Sequence, residues 1–275
     1  MAKIKVNDIT INYEVFGSGE PAVLMCTGLG GNMQNFRDNP ALLNGFAETH
    51  TTVIYDPRGA GETTSGDSEY VTMKMLAADA VGLMEALGFQ KFMIFGGSMG
   101  GMTALQAACD YPERIIRLGL QCTWCGGPNV VKPDPICWDY LTKPGCGKAE
   151  NMQAAGIDPL LMVFSQNTID AMDPDTLAFI ANQLFSTKEA MPEETFYRQQ
   201  IALRDFDVSD RIQDIQCPTI IFGALYDILL PCENSITLHK KIRNSKFVLL
   251  ENSAHAGVDD MELTNTEAIK FFLVS

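Results

Sequence analysis

The chain has 275 residues, of which 46% are hydrophobic and 20% charged, as is typical of a soluble globular protein with one large domain or two small ones. Its net charge of −14 argues against a nucleic-acid partner. No N-terminal segment resembles a signal peptide, and no apolar run approaches the roughly 18 residues of a membrane helix. We therefore expect a cytoplasmic protein that does not bind membranes.

Strand and helix patterns alternate through the first 120 residues. Apolar and polar residues alternate on both sides of Asn7-Asp8, which predicts an antiparallel hairpin over residues 4–15. Short apolar runs predict further strands at 22–26, 52–55, 92–95 and 115–120. Helical spacing of apolar residues predicts helices at 40–46 and 72–87. This alternation indicates a mostly parallel sheet with helices on both faces.

Residues 96–100, Gly-Gly-Ser-Met-Gly, match the G-x-S-x-G pattern of a nucleophile elbow. In such an elbow the nucleophile occupies a strained turn between a strand and a helix, so its close neighbours must lack a Cβ. The apolar run before Ser98 and the helical spacing of apolar residues after it fit this context. Ser98 is therefore the candidate nucleophile.

Two other loops follow predicted strands. The loop at 27–32, Thr-Gly-Leu-Gly-Gly-Asn, is either half of an oxyanion hole or a plain turn, and the elbow downstream favours the first interpretation. In the loop at 56–61, Asp56 and Arg58 could be catalytic in isolation. We interpret them instead as residues that fasten this loop by hydrogen bonds and charge pairing.

The alternation stops after residue 123 and resumes near residue 218. Residues 124–209 show helical segments, at 158–164, 175–185 and 193–203, but no convincing core strand. We interpret 124–209 as a helical cap inserted into a core made of residues 1–123 and 210–275. In the second part of the core, strands are predicted at 218–224 and 247–250, and helices at 231–242 and 264–273.

A serine nucleophile needs a base, and the base needs an acid that orients it. The chain has three histidines. We predict that His50 and His239 are surface residues of helices, whereas His255 follows the last strand in a loop. Asp227 also follows a strand, so the order Ser98, Asp227, His255 is that of an α/β-hydrolase triad.

These motifs resemble the α/β-hydrolase superfamily, close to its carboxylesterase and 3-oxoadipate enol-lactonase branch. The resemblance extends from about residue 22 to 257 and rests on the segments 27–31, 56–61, 96–101, 223–231 and 254–255. It implies Ser98 as nucleophile, His255 as base and Asp227 as orienting acid. It also implies that the N–H groups of Leu29 and Met99 form the oxyanion hole.

Two residues depart from the family pattern. Thr27 stands where the family commonly has His before Gly28, which changes how the oxyanion loop is braced. Ala254 stands where Gly commonly precedes the histidine, a milder change.

The resemblance implies a serine hydrolase that acts on a small-molecule ester or lactone through an acyl-enzyme and needs no metal or organic cofactor. Acyl transfer is an alternative, because residues 96–102 resemble the elbow of homoserine acetyltransferases. Cleavage of a carbon–carbon bond and a non-catalytic small-molecule receptor on the same fold are two others.

The cysteines leave a metal or redox alternative open. Cys122 and Cys125 form a C-x-x-C, and Cys137 and Cys146 follow it, a set that could bind zinc or form a redox pair. The competing interpretation is that they are small packing residues with free thiols, which we favour because the chain shows no matching fold context.

We expect the cap to select the substrate, with Trp124 and Trp138 as candidate contacts. Residues 150–210 contain eleven acidic and three basic residues. If this charge faces the entrance, neutral or cationic esters should be preferred over carboxylate-bearing ones. A solvated outer face is the alternative, and a basic residue such as Arg37 or Arg204 in the pocket would reverse the preference.

Overall fold

The computed structural model describes residues 2–146, 149–185 and 191–273, and eight strands within them form one sheet. The strands are β1 (Ala2–Val6), β2 (Ile9–Phe16), β3 (Ala22–Cys26), β4 (Thr52–Tyr55), β5 (Phe92–Gly97), β6 (Ile115–Gln121), β7 (Thr219–Ala224) and β8 (Ser245–Leu250). Their spatial order is β1-β2-β4-β3-β5-β6-β7-β8. The pairs β1–β2 and β2–β4 are antiparallel and all others are parallel, which confirms the predicted mostly parallel sheet.

The described helices connect the strands, lie in the long segment between β6 and β7, or follow β8. They are α1 (Gln34–Arg37), α2 (Pro40–Ala47), α3 (Met73–Ala86), α4 (Met99–Asp110), α5 (Pro135–Thr142), α6 (Ala149–Ala154), α7 (Gln166–Ala171), α8 (Pro174–Phe185), α9 (Glu193–Arg204), α10 (Cys232–Lys241) and α11 (Met261–Leu273).

The sheet separates two apolar clusters, and the side chains of β3 alternate between them. All five of its residues are buried. Successive side chains of a strand point to opposite faces. Ala22, Leu24 and Cys26 accordingly pack in the cluster that contains α3 and α4, whereas Val23 and Met25 pack with residues of α2 and α11. Helices therefore cover both faces, as the uninterrupted apolar run predicts.

The loop after β4 is fastened by the two charged residues that were predicted to do so. Arg58 is buried and donates to both carboxylate oxygens of Asp79 and to the carboxylate of Asp8. Asp56 is also buried and accepts from the backbone N–H groups of Met33 and Glu62. Both side chains are thus committed to holding loops together, which agrees with the structural interpretation.

Between β6 and β7 the described residues contain helices, and their pairing in strand geometry is limited to an isolated bridge between Gly126 and Asp207. Next to this bridge the Val208 N–H donates to the Cys125 carbonyl, at 2.9 Å. The two ends of the segment therefore meet one residue inside the predicted boundaries 124 and 209. The division into core and cap remains a prediction.

One predicted helix of this segment is shorter than expected. Residues 158–164 form only a 3₁₀ helix at Pro159–Met162. The Ser165 N–H that follows it donates to the Asp259 carboxylate at 3.1 Å, which directs the chain away from the helical path.

Candidate active site

Ser98 lies in the sharp turn between β5 and α4, with φ 54° and ψ −124°. A Cβ at Gly96 would overlap the Gly100 carbonyl oxygen, and a Cβ at Gly100 would overlap the Cys26 carbonyl oxygen. The Ser98 N–H donates to the Gln121 carbonyl at 2.9 Å, and the Ser98 carbonyl accepts from the Thr123 hydroxyl at 2.8 Å. The glycines of G-x-S-x-G are therefore required by close backbone approach, and neighbouring β6 holds the strained serine in place.

His255 and Asp227 form a hydrogen-bonded pair. His255 Nδ1 lies 2.8 Å from Asp227 Oδ2, and the carboxylate is fully buried. Asp227 Oδ1 accepts from the N–H groups of Leu229 and Leu230, at 2.9 and 2.8 Å. Because a carboxylate accepts, Nδ1 carries the hydrogen and Nε2 is left to exchange a proton with a nucleophile.

The three residues lie at one edge of the sheet for a topological reason. Ser98, Asp227 and His255 follow β5, β7 and β8, which run parallel, so all three lie at the carboxyl ends of their strands. Ser98 and His255 line one cavity of about 540 Å³. Asp227 is hydrogen-bonded to the His255 ring behind this wall.

The glycine loop after β3 approaches the serine closely. A Cβ at Gly28 would lie 3.3 Å from Ser98 Cβ and 3.8 Å from its Oγ. Leu29 lines the cavity, and Met99 is the first residue of α4, where backbone N–H groups have no partner within the helix. Both predicted oxyanion donors thus flank the serine.

Asn35 braces this loop at Thr27, the residue that stands where the family commonly has histidine. Its Oδ1 accepts from the Asn32 N–H at 2.9 Å and from the Thr27 hydroxyl at 3.3 Å. Thr27 is itself buried. The Thr27 side chain is therefore held by a side chain eight positions further along the chain.

The rest of the cavity wall is mostly apolar or amide-bearing. The described part of the segment between β6 and β7 contributes four residues to it: Tyr140, Leu141, Met162 and Val163. The core contributes polar groups from Asn35, Asp38, Asn39 and Gln121. Nothing in the local sequence marked these residues, because they reach the cavity through the packing of distant elements.

The structure does not bring Trp124 and Trp138 to the described cavity wall. Their rings pack against each other at 5.5 Å between centroids, and Trp124 is buried in the apolar cluster on the α4 side. Lys132 Nζ lies 4.4 Å from the centre of the Trp138 ring. In this arrangement the pair supports the wall from behind, and direct substrate contact by either residue remains a prediction.

The other two histidines lie away from the cavity. His239 is an exposed residue of α10 whose ring stacks on Phe247, as predicted for a surface position. His50 was predicted to be on the surface, but this was wrong, because it is buried beside Pro21 and Phe272. Burial lowers the pKa of His50, and contacts with the backbone of those two residues counteract the decrease only in part.

The cysteines of the C-x-x-C are packing residues in the described structure. Cys122, Cys125 and Cys137 are buried with free thiols, and burial raises the pKa of each one. Within residues 2–146, 149–185 and 191–273, no three histidine, cysteine or acidic side chains are grouped as a metal site requires.

Comparisons with known proteins agree with the fold. A family model described as the alpha/beta hydrolase fold matches residues 21–138. RutD of Agrobacterium fabrum, named as a candidate carbamate hydrolase, is 25% identical over 96% of this chain and 98% of its own. The human serine hydrolase BPHL is 27% identical over 92% of this chain and 79% of its own.

A solved structure shares nearly the whole architecture. The enol-lactonase from Burkholderia xenovorans LB400 superposes with a TM-score of 0.79 at 20% identity, covering 99% of this chain and all of its own. The sheet order, the elbow and this likeness together define an α/β-hydrolase fold. The chain therefore has the α/β-hydrolase fold and resembles that superfamily, and the relatives named above carry hydrolase names.

Among the described residues, no helix is both long and apolar enough to cross a membrane.

Proposed function

We propose that this chain is a serine hydrolase that cleaves a carboxylic ester or lactone of a small molecule. The observation that carries the proposal is the 2.8 Å bond between His255 Nδ1 and Asp227 Oδ2, at a cavity that His255 shares with the strained Ser98. This pairing orients a neutral imidazole so that its Nε2 serves as the base.

The reaction has two halves. Ser98 Oγ attacks the carbonyl carbon, His255 Nε2 takes the hydroxyl proton, and the N–H groups of Leu29 and Met99 stabilise the negative oxygen. The bond to the leaving oxygen breaks as His255 returns the proton to it, which leaves an acyl-Ser98. Water then attacks the acyl carbon with His255 as base, so that the acid and Ser98 are released. No metal or organic cofactor takes part.

The lining of the cavity supports an uncharged or cationic substrate. None of its described residues is a lysine or arginine, and Asp38 contributes a carboxylate. A carboxylate-bearing substrate would be desolvated there without a cationic partner, which is costly. We therefore infer that this chain hydrolyses esters of neutral compounds rather than dicarboxylate-derived enol-lactones, despite the shared fold.

The test is covalent labelling combined with a substrate panel. A fluorophosphonate should form an adduct on Ser98, detected by peptide mass spectrometry, and Ser98→Ala should lower kcat by about 10⁴ to 10⁶. The panel compares aryl acyl esters, lactones and aryl carbamates, the last because of the name of the A. fabrum relative. Parallel reactions with an added amino-acid alcohol such as homoserine separate acyl transfer from hydrolysis.

The matched control is the Ser98→Ala protein, which tests whether any turnover belongs to this site. Turnover on the panel that equals that of folded Ser98→Ala, with no adduct, would reject the enzyme and favour a small-molecule receptor. Acyl-homoserine as the main product would identify an acyltransferase instead.

A further inference from the structure

Gln199 connects α9 to the glycine loop beside the nucleophile. Its side chain is fully buried, and its Oε1 accepts from the Gly30 N–H at 3.0 Å, across 169 positions of sequence. The assignment of oxygen rather than nitrogen at this end of the amide follows from chemistry, because the Gly30 N–H is a donor and needs an acceptor.

The bonded N–H belongs to the peptide unit that follows Leu29, the predicted oxyanion donor. Gly30 has φ +74°, and a Cβ there would lie 3.0 Å from the ring of Phe196, another residue of α9. Asn35 holds the loop at Thr27 and at Asn32, one before and one after Leu29 in the chain. Gln199 and Phe196 thus fix the loop from outside, at the peptide adjoining the donor.

We propose that Gln199 is a positioning residue that holds the Leu29–Gly30 peptide so that the Leu29 N–H points at the developing oxyanion. Oxyanion donors must lie within about 2.7–3.1 Å of the position that the charged oxygen takes in the transition state. A bond from a buried amide on a packed helix limits the rotation of that peptide. The segment between β6 and β7 therefore orders the oxyanion hole as well as lining the cavity. This inference rests on the proposed serine hydrolase function.

The chain supplies a matched control on the same helix. Gln200 is also fully buried, and its Nε2 donates to the Tyr140 carbonyl at 2.7 Å, on the cavity wall rather than on the oxyanion loop. Gln199→Met and Gln200→Met each remove one buried side-chain hydrogen bond while keeping side-chain length. A merely structural role for α9 would make the two variants behave alike.

The first experiment separates transition-state stabilisation from substrate binding. With a neutral aryl ester, we expect Gln199→Met to lower kcat/KM by about 10- to 100-fold through kcat, because displaced donors lose their effect steeply. The inhibition constant of an arylboronic acid, whose adduct with Ser98 mimics the tetrahedral intermediate, should rise by a similar factor. KM should change by less than about threefold. Gln200→Met, which alters the cavity wall at Tyr140, should raise the boronate constant by a factor at least about threefold smaller than Gln199→Met does.

The second experiment needs no variant. The Gly30 amide of the wild-type protein should be protected in NMR-detected hydrogen exchange, although it lies in a loop, because it is bonded to a buried acceptor. Gln199→Met should speed its exchange at least about tenfold, and Gln200→Met should not.

Three results would overturn the proposal: a folded Gln199→Met with wild-type kcat/KM and boronate inhibition, equal losses in Gln200→Met, or an unprotected Gly30 amide in the wild type. If Gln199→Met does not fold, the proposal is tested by the same kinetic and boronate measurements on Gln199→Leu and by exchange of the Gly30 amide in the wild type. Failure of the hydrolase function itself is recognised separately, by the absence of phosphonate labelling on wild-type Ser98, and the exchange of the Gly30 amide then still tests the contact.

Discussion

At the scale of single residues, the imidazole of His255 differs from the other two in how its ring is held. Asp227 fixes its Nδ1 at 2.8 Å, and the ring faces the cavity that Ser98 lines. We expect His255→Ala to lower kcat on a neutral ester by about 10⁴-fold or more, because members of a triad act as a unit. Asp227→Asn should lower it by about 10⁴-fold, since it disturbs the tautomer of the histidine.

The control for this prediction is His239→Ala, which removes an exposed imidazole on α10. Its kcat should stay within about twofold of wild type, as for most surface substitutions. Comparable damage from His239→Ala, with both proteins folded by circular dichroism, would mean that the base is wrongly assigned.

His50 predicts how stability depends on pH. Burial lowers its pKa below the ordinary value of 6.5 in the folded protein, so the unfolded chain binds more protons as the pH falls below 6.5. The free energy of unfolding should therefore decrease from about pH 7.5 to 5.5, with a slope from this group of at most about 1.4 kcal/mol per pH unit.

His50→Phe removes the titrating group and should flatten this part of the profile, measured by urea unfolding at several pH values. An unchanged slope in His50→Phe would show that His50 is not kept neutral by burial.

At the scale of elements, the turn between β5 and α4 makes opposite demands on adjacent glycines. A Cβ at Gly96 would overlap the Gly100 carbonyl, whereas a Cβ at Gly97 would lie at ordinary contact distance, 3.8 Å from the Gln121 carbonyl. We expect Gly96→Ala to lower the free energy of unfolding by about 1–3 kcal/mol or more, as overpacking does. Gly97→Ala should change it by less than about 1 kcal/mol.

Chemical denaturation of both variants measures the difference. Equal destabilisation by the two alanines would contradict the steric account of the elbow, because backbone entropy alone does not distinguish the two positions.

In the segment between β6 and β7, local sequence patterns predicted helices but not which side chains face the cavity. Its helices at 175–185 and 193–203 were predicted to within one residue at each end, since helical spacing of apolar residues is a local signal. The aromatic residues chosen as substrate contacts, Trp124 and Trp138, pack on each other instead of lining the cavity. Composition identifies large apolar side chains, but not which of them face a cavity.

At the scale of the whole molecule, the net charge of −14 and the lining of the cavity both disfavour an anionic substrate. The two arginines considered as pocket residues are committed elsewhere, Arg37 to Glu14 at 2.8 Å and Arg204 to Asp205 at 2.7 Å. Neither lies on the described cavity wall. We therefore expect a neutral ester to have a higher kcat/KM than an isosteric carboxylate-bearing ester.

Ionic strength separates the two contributions to this preference. The part due to the molecular field should shrink as salt rises from 0.01 to 0.1 M, because the screening length falls from about 30 to about 10 Å. The part due to desolvation in the cavity should persist at high salt. A preference for the anionic ester at low salt would contradict the assignment and would require a cationic group near Ser98.

The amino-acid sequence by itself determined the sheet, the elbow and the candidate triad. These features depend on local physics: continuous apolar runs form buried strands, and a strained turn excludes a Cβ at Gly96 and Gly100. Residues that follow parallel strands meet at one edge, so the positions of Ser98, Asp227 and His255 after their strands were sufficient to group them.

Only the tertiary structure decided the contacts between elements far apart in sequence. The burial of His50, the mutual packing of Trp124 and Trp138, and the bond from the Gly30 N–H to Gln199 are of this kind. None has a local signature, because each depends on how whole helices pack, and a hydrogen bond across 169 positions leaves no pattern in either segment. The sequence therefore named the candidate reacting groups, and the packing of α9 decided what holds the loop beside them.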